Sequence, residues 1–106
     1  MNKKFIIKKN EEIKKIIEIS NKTVGKSFII FYCKNKLSYN RYCISVSKKI
    51  GKANVRNYYK RITKDILMKN NFNFSNDYVI ILRKFVLKRS YLELEKELID
   101  LLRGDK

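Results

Sequence analysis

Lys48, Lys49, Lys52, Arg56, Lys60, Arg61 and Lys64 follow one another within a short span, with Asn57 among them, and no aspartate or glutamate occurs from Ile19 through Lys64. The chemistry open to such a set is the binding of phosphate. Arg56 and Arg61 carry planar forks of paired donors that match phosphate oxygens, and the lysines add mobile point charges. Bond-breaking by side chains is poorly served. Histidine is absent, which removes the imidazole acid or base, and two cysteines, Cys33 and Cys43, cannot make a four-cysteine zinc site. A protein nuclease needs convergent carboxylates or a histidine base. Here half of the ten acids lie from Glu93 to Asp105, and Asp65 and Asp77 stand apart from them.

The elements that must position these cations can be read from the pattern around them. Cys43 to Ser47 alternates as a strand does, Lys48 to Asn54 reads as a loop turning at Gly51, and a helix follows. On a helical wheel Val55, Tyr58, Tyr59, Ile62 and Ile66 fall in one arc, while Arg56, Asn57, Lys60, Arg61 and Lys64 take the other side. One face is therefore made for a core and the other for a polyanion. Asn54 suits the N-cap, since its side chain can accept from a free amide of the first turn. Cations at the start of a helix oppose its dipole, a conflict that a bound anion would relieve.

Ser45-Val-Ser-Lys-Lys-Ile-Gly-Lys-Ala53, followed by Val55-Arg-Asn-Tyr-Tyr-Lys-Arg61, resembles the signature of the bacterial ribonuclease P protein subunit. That family carries a strand ending in Ser-x-Lys-Lys, a Gly-x-Ala loop and an Arg-Asn-Arg-x-x-Lys-Arg helix. Tyr58 stands where the second Arg of Arg-Asn-Arg is usual, and Lys64 where a further Arg is common. The first departure removes a guanidinium; the second keeps charge without the fork. The resemblance runs from about Ile7 to Leu102 and is strongest in the middle.

It implies an α+β fold, a two-layer sandwich in helix-strand-strand-strand-helix-strand-helix order, with a four-stranded, mostly antiparallel sheet. The strand before the basic helix would join the one after it by a left-handed crossover, against ordinary handedness statistics. The implied function is that of an accessory protein in a ribonucleoprotein endoribonuclease. It helps a catalytic RNA remove the 5′ leader from precursor transfer RNA, as a monomer bound one to one. Mg2+ would be held mainly by the RNA and phosphates, with protein binding strengthening its affinity there. The RNA contacts are expected at Lys48, Lys49, Lys52, Arg56, Asn57, Lys60, Arg61 and Lys64. The family also lines a groove for the single-stranded leader with aromatic residues of its first helix, at the positions of Ile13 and Ile17. Isoleucine gives apolar contact without stacking, and packing of both residues on the sheet is an equal alternative.

Composition sets the same bounds independently. The chain has 106 residues, 44% hydrophobic and 34% charged, which suits one small domain over 1–106. A net charge of +16 calls for a polyanionic partner. A structural RNA-binding module, such as a small ribosomal protein, would share that charge and size, and only the motif separates the two. Two cysteines, expected as buried free thiols, and no secretory signal at the basic start point to the reducing cytoplasm. No apolar run is long enough for a membrane span.

Taken in order, residues 1–9 read as a flexible basic arm holding Phe5-Ile6-Ile7, and Asn10 as the cap of a helix striped by Ile13, Ile16 and Ile17. Asn21 to Lys26 is a polar loop with room for a short edge strand. Ser27 to Cys33 and Tyr39 to Ser47 read as a hairpin, turning at Lys34 to Ser38. Apolar groups lie on both of its faces, including Phe28, Phe31, Tyr32 and Tyr39, and Phe31 is the preferred ring for an unstacked base. Phe72 and Phe74 anchor an Asn-rich connection to the strand Asp77 to Arg83. Lys84 to Arg89 offers further phosphate contacts. Ser90 and Glu93 have the spacing of a capping box, and Leu94, Leu98, Leu101 and Leu102 stripe a closing helix.

Overall fold

The computed structural model describes residues 1–70 and 74–104. Helix α1 spans Asn10–Ile19, strands β1, β2 and β3 span Asn21–Val24, Phe28–Lys34 and Arg41–Val46, helix α2 spans Ala53–Asn70, β4 spans Asn76–Leu82 and α3 spans Tyr91–Arg103. Short 3-10 turns at Lys3–Phe5 and Lys84–Lys88 precede α1 and α3.

The sheet order is β1-β2-β4-β3. β2 runs antiparallel to both β1 and β4, and β3 runs parallel to β4 with Val46 opposite Leu82. β2 and β3 are thus not the expected hairpin, because β4 enters between them. The reason lies in β4 itself. All but one of its residues are buried, and a strand apolar on both faces is stable only in the interior of a sheet. The connection β3-α2-β4 is the crossover that joins the parallel pair.

The α+β sandwich is closed on one face by α2 and α3. There Phe28, Ile30, Tyr42, Tyr78, Ile80 and Leu82 of the sheet meet Ile62, Ile66 and Leu67 of α2 and Leu94, Leu98 and Leu102 of α3. Removing most of a wholly buried side chain such as Leu98 destabilises by about 2–5 kcal/mol. On the other face α1 packs Ile16 against Val79, with Ile7 beside them. That second core is small and leaves part of the sheet open.

Local signals were right where they depended on neighbours in sequence. Ser90 accepts from the Glu93 amide, and Glu93 accepts from the Ser90 amide, closing the capping box. Two other caps sit earlier than expected, by two residues for α2 and by one for α1. The Lys52 carbonyl accepts from Arg56 N–H, which places Asn54 inside the first turn of α2. Lys9 likewise accepts from Ile13, so Asn10 is the first residue of α1, and no side chain caps it. Glu11 and Glu12 do occupy the first turn, where they favour the dipole.

Part of the basic arm is seated on the sheet. Ile7 is buried and its N–H donates to the Tyr42 carbonyl, Ile6 bridges β3 in parallel, and the Phe5 ring meets Tyr39 edge-on at 5.5 Å. The apolar triplet has a core to fill, which the surrounding lysines obscured. Cys33 and Cys43 are free and half-buried, not fully buried, because α1 only partly covers their face. Phe74 is exposed, and Phe72 lies outside the described residues.

Candidate nucleic-acid interface

The loop and α2 present their cations together. Lys48, Lys49, Lys52, Asn57, Lys60 and Arg61 are exposed, and Arg56 and Lys64 are half-buried at the flanks of the helix. Among the described residues none of these cations pairs with a carboxylate; the ion pairs lie elsewhere. An unneutralised basic face of this kind is an electrostatic site for a polyanion.

Two details set its geometry. Arg56 Nε donates to the Gly51 carbonyl at 3.2 Å, tying the loop to the first turn of the helix. A Cβ on Gly51 would stand 3.1 Å from the side chain of Val55, so the loop passes close against the helix it precedes. Tyr58, assigned on the wheel to the core arc, is 47% exposed. It lies at the edge of that arc, and Thr63 and Leu67 fill the helix's buried side instead. Its ring meets Tyr59 edge-on, and the Arg61 guanidinium lies 5.7 Å from its centre. The residue standing where an arginine is usual thus joins the basic face as an arginine-bearing ring.

The opposite face of the sheet holds the candidate groove. Of the four rings named from the strands, Phe31 is the one that packs with the small core there. Phe28 is buried under α2 and α3, Tyr32 packs against that same core, and Tyr39 is engaged with Phe5 and with Lys4 at 4.9 Å. Phe31 is half-buried beside Ile13, Cys33, Cys43 and Ile81, and Lys22 Nζ lies 5.7 Å from its ring centre. Lys22 had no signal in the sequence, since only the β1–β2 register sets it opposite Phe31. Ile13 packs on the small core, whereas Ile17 is 36% exposed at its margin. Burial pushes the Cys43 thiol up, and the positive charge of Lys60 opposes part of that shift.

Several carboxylates are occupied structurally. Asp77 accepts from Arg41 and Asn35, Glu12 also accepts from Arg41, Asp65 accepts from the Tyr91 hydroxyl, and Glu95 pairs with Lys69. Among the described residues no group of three or more metal-binding side chains comes together. No described helix is long and apolar enough to cross a membrane.

A family model described as Ribonuclease P matches residues 1–104. The chain is 45% identical over 107 residues to the ribonuclease P protein component of Mycoplasma mycoides subsp. mycoides, covering 97% of each. It is 39% identical to that of Geobacillus kaustophilus, covering 97% of this chain and 88% of the other. Among solved structures it is similar to the ribonuclease P protein of Staphylococcus aureus, with a TM-score of 0.84 at 28% identity over 93% of each chain. The corresponding protein of Thermotoga maritima, in complex with 1-(4-fluorophenyl)-2-thiourea, gives 0.81 at 27% identity, covering 89% of this chain and 94% of that one. With the unpaired basic helix, the half-open sheet face and the strand order in place, these matches identify the chain as a member of the bacterial ribonuclease P protein family.

Proposed function

We propose a division of labour between the two surfaces just described, in which the basic loop and α2 hold the catalytic RNA and the α1–sheet face holds the leader. The chain is the protein subunit of ribonuclease P; it binds the catalytic RNA and assists removal of the 5′ leader from precursor transfer RNA. The hydrolysis depends on Mg2+ held mainly by the RNA.

The observation that carries this assignment is the unneutralised basic face of α2 lying directly behind its apolar face. Burial of Ile62, Ile66 and Leu67 fixes the helix on the sheet, which leaves Lys60 and Arg61 exposed and, among the described residues, without a carboxylate partner. Arg56 and Arg61 clamp phosphate oxygens with paired donors, while Lys48, Lys49, Lys52, Lys60 and Lys64 contribute charge and Asn57 a neutral hydrogen bond. On the other face of the sheet, Phe31 offers a ring to one unstacked base, with Lys22 available to a phosphate and Ile13 and Ile17 providing apolar walls. A surface that reads no base edge serves leaders of varied sequence. The subunit works as a monomer, one to one with the RNA, in the cytoplasm.

Reconstitution tests this directly. The protein is mixed with ribonuclease P RNA and precursor transfer RNA at low Mg2+, and the mature 5′ end is followed. Stimulation over RNA alone, abolished in Lys60→Gln/Arg61→Gln, is expected. Full stimulation by that variant would overturn the assignment of α2.

A further inference from the structure

A second group of cations lies away from α2, at the end of the sheet where β3 and β4 both stop. β3 ends at Val46 opposite Leu82, so Lys48 and Lys84 each leave the same end two residues past their strands. Adjacent strands are about 4.8 Å apart. The β1–β2 turn closes on this end as well, since Arg83 N–H donates to the Ser27 carbonyl and Arg83 Nη1 to the Gly25 carbonyl at 2.9 Å. Lys26, Arg83, Lys84 and Phe85 thereby line a concavity of about 380 Å³ with no acid in its wall. Among the described residues no carboxylate pairs with Lys26, Arg83 or Lys84.

The boundary of the patch is equally defined. Arg89, next along the chain, is drawn toward α3, 3.5 Å from Glu93 and 3.9 Å from Glu97, and is a structural group. The Phe85 ring has two cations near it, Arg89 at 4.9 Å and Lys26 at 6.0 Å from its centre. The ring is thus already engaged with cations. Single-stranded RNA is gripped by stacking, whereas structured RNA is recognised largely through its backbone. A concavity of three cations whose one ring is already occupied suits the second.

We propose that Lys26, Arg83 and Lys84 form a second phosphate-binding surface for the catalytic RNA, continuing the basic loop before α2 across the end of the sheet. It rests on the assignment of that loop and α2 to the catalytic RNA. Arg83 presents its fork from a position fixed by its bond to Gly25, and the two lysines adjust around it.

The test compares Lys26→Gln/Lys84→Gln, which spares the bonds of Arg83, with Lys60→Gln/Arg61→Gln. Equilibrium binding of the full-length protein to the catalytic RNA is measured across a range of salt, with thermal unfolding of each variant alongside. The slope of log affinity against log salt is expected to fall by about two in Lys26→Gln/Lys84→Gln, at 0.9 per lost contact as for duplex DNA. Its melting should be unchanged, as should the dependence of precursor binding on leader length. An unaltered slope in this variant while Lys60→Gln/Arg61→Gln lowers its own would overturn the second surface alone. An unaltered slope in both would remove the α2 assignment with it. A loss confined to precursors with long leaders would assign the patch to the leader and overturn the proposal.

Discussion

Arg41 on β3 grips Asp77 on β4 with two contacts, Nε to Oδ1 at 2.9 Å and Nη2 to Oδ2 at 2.7 Å, while Nη2 also reaches Glu12 of α1 at 3.2 Å. One guanidinium thus links α1 to both parallel strands at the end of the sheet opposite the basic loop. Burial alone would push the Asp77 carboxyl up, but hydrogen bonds from Arg41 and Asn35 and the Arg41 charge outweigh it, and it titrates below its ordinary range.

Asp77→Asn should therefore destabilise the protein at neutral pH. Breaking a buried pair costs about 3–5 kcal/mol, and since a fifth of the Arg41 side chain remains exposed, about 3 kcal/mol is expected. The sign of the pH dependence follows from the lowered folded pKa. The contribution is present above the unfolded value of about 3.9 and is lost as pH falls through the folded one. Urea unfolding at neutral and acid pH should show the difference between wild type and variant shrinking below about pH 4.

Arg56 and Lys60 should separate binding from folding. Lys60→Ala removes an exposed charge with no partner, so RNA affinity and its salt slope should fall with melting unchanged. Arg56→Ala also frees the Gly51 carbonyl, and a loss of about 1 kcal/mol of stability is expected from the missing hydrogen bond. Thermal melts beside RNA titrations distinguish them.

Phe31→Leu keeps apolar volume but removes the ring. Holoenzyme affinity for precursor with a leader should weaken by about 1–3 kcal/mol, the worth of one stacked base, and affinity for leaderless transfer RNA should not change. Ile17→Ala, at a position already 36% exposed, should move both affinities little. Equal losses with and without a leader would remove Phe31 from the groove.

Tyr91 donates to Asp65 at 2.6 Å, and that hydrogen bond, with desolvation and the charges of Asp65 and Glu95, pushes the phenol up to about 12. A raised folded pKa means that the contact stabilises fully below the ordinary phenol value of about 10 and fades as pH rises through about 12. Asp65→Asn should return the titration of Tyr91 toward about 10, seen by carbon NMR of the labelled ring with Tyr91→Phe for assignment.

What could be read in advance divides by distance along the chain. The Ser90–Glu93 box and the basic face of α2 depend on residues three or four apart, and period and side-chain type suffice for them, whereas Tyr58 at the edge of the apolar arc was misplaced. The caps at Asn10 and Asn54 were displaced, by one and by two residues, because Lys9 and Lys52 supply the first helical carbonyls with no side-chain signal. The hairpin failed for another reason. Strands of equal hydrophobicity do not say which lies between the others, and β4 reaches the centre from the far side of α2. Phe31 was separable from Phe28 and Tyr32 only once the covered face was known. Lys26, Arg83 and Lys84 come from two distant segments, and no spacing announces their meeting.

The position of β4 has a consequence for synthesis. It is the last strand made, yet it is the one to which β2 and β3 both bond. Until residue 82 has left the ribosome, the nascent chain holds two strands with an empty slot between them, and a finished basic helix with no sheet to lie on. The sheet can then close only from the inside, all at once, with its long-range contacts forming late. A chain released short of β4 keeps all the cations of α2 and its loop but lacks the fold that aims them, a loose polycation in place of a subunit.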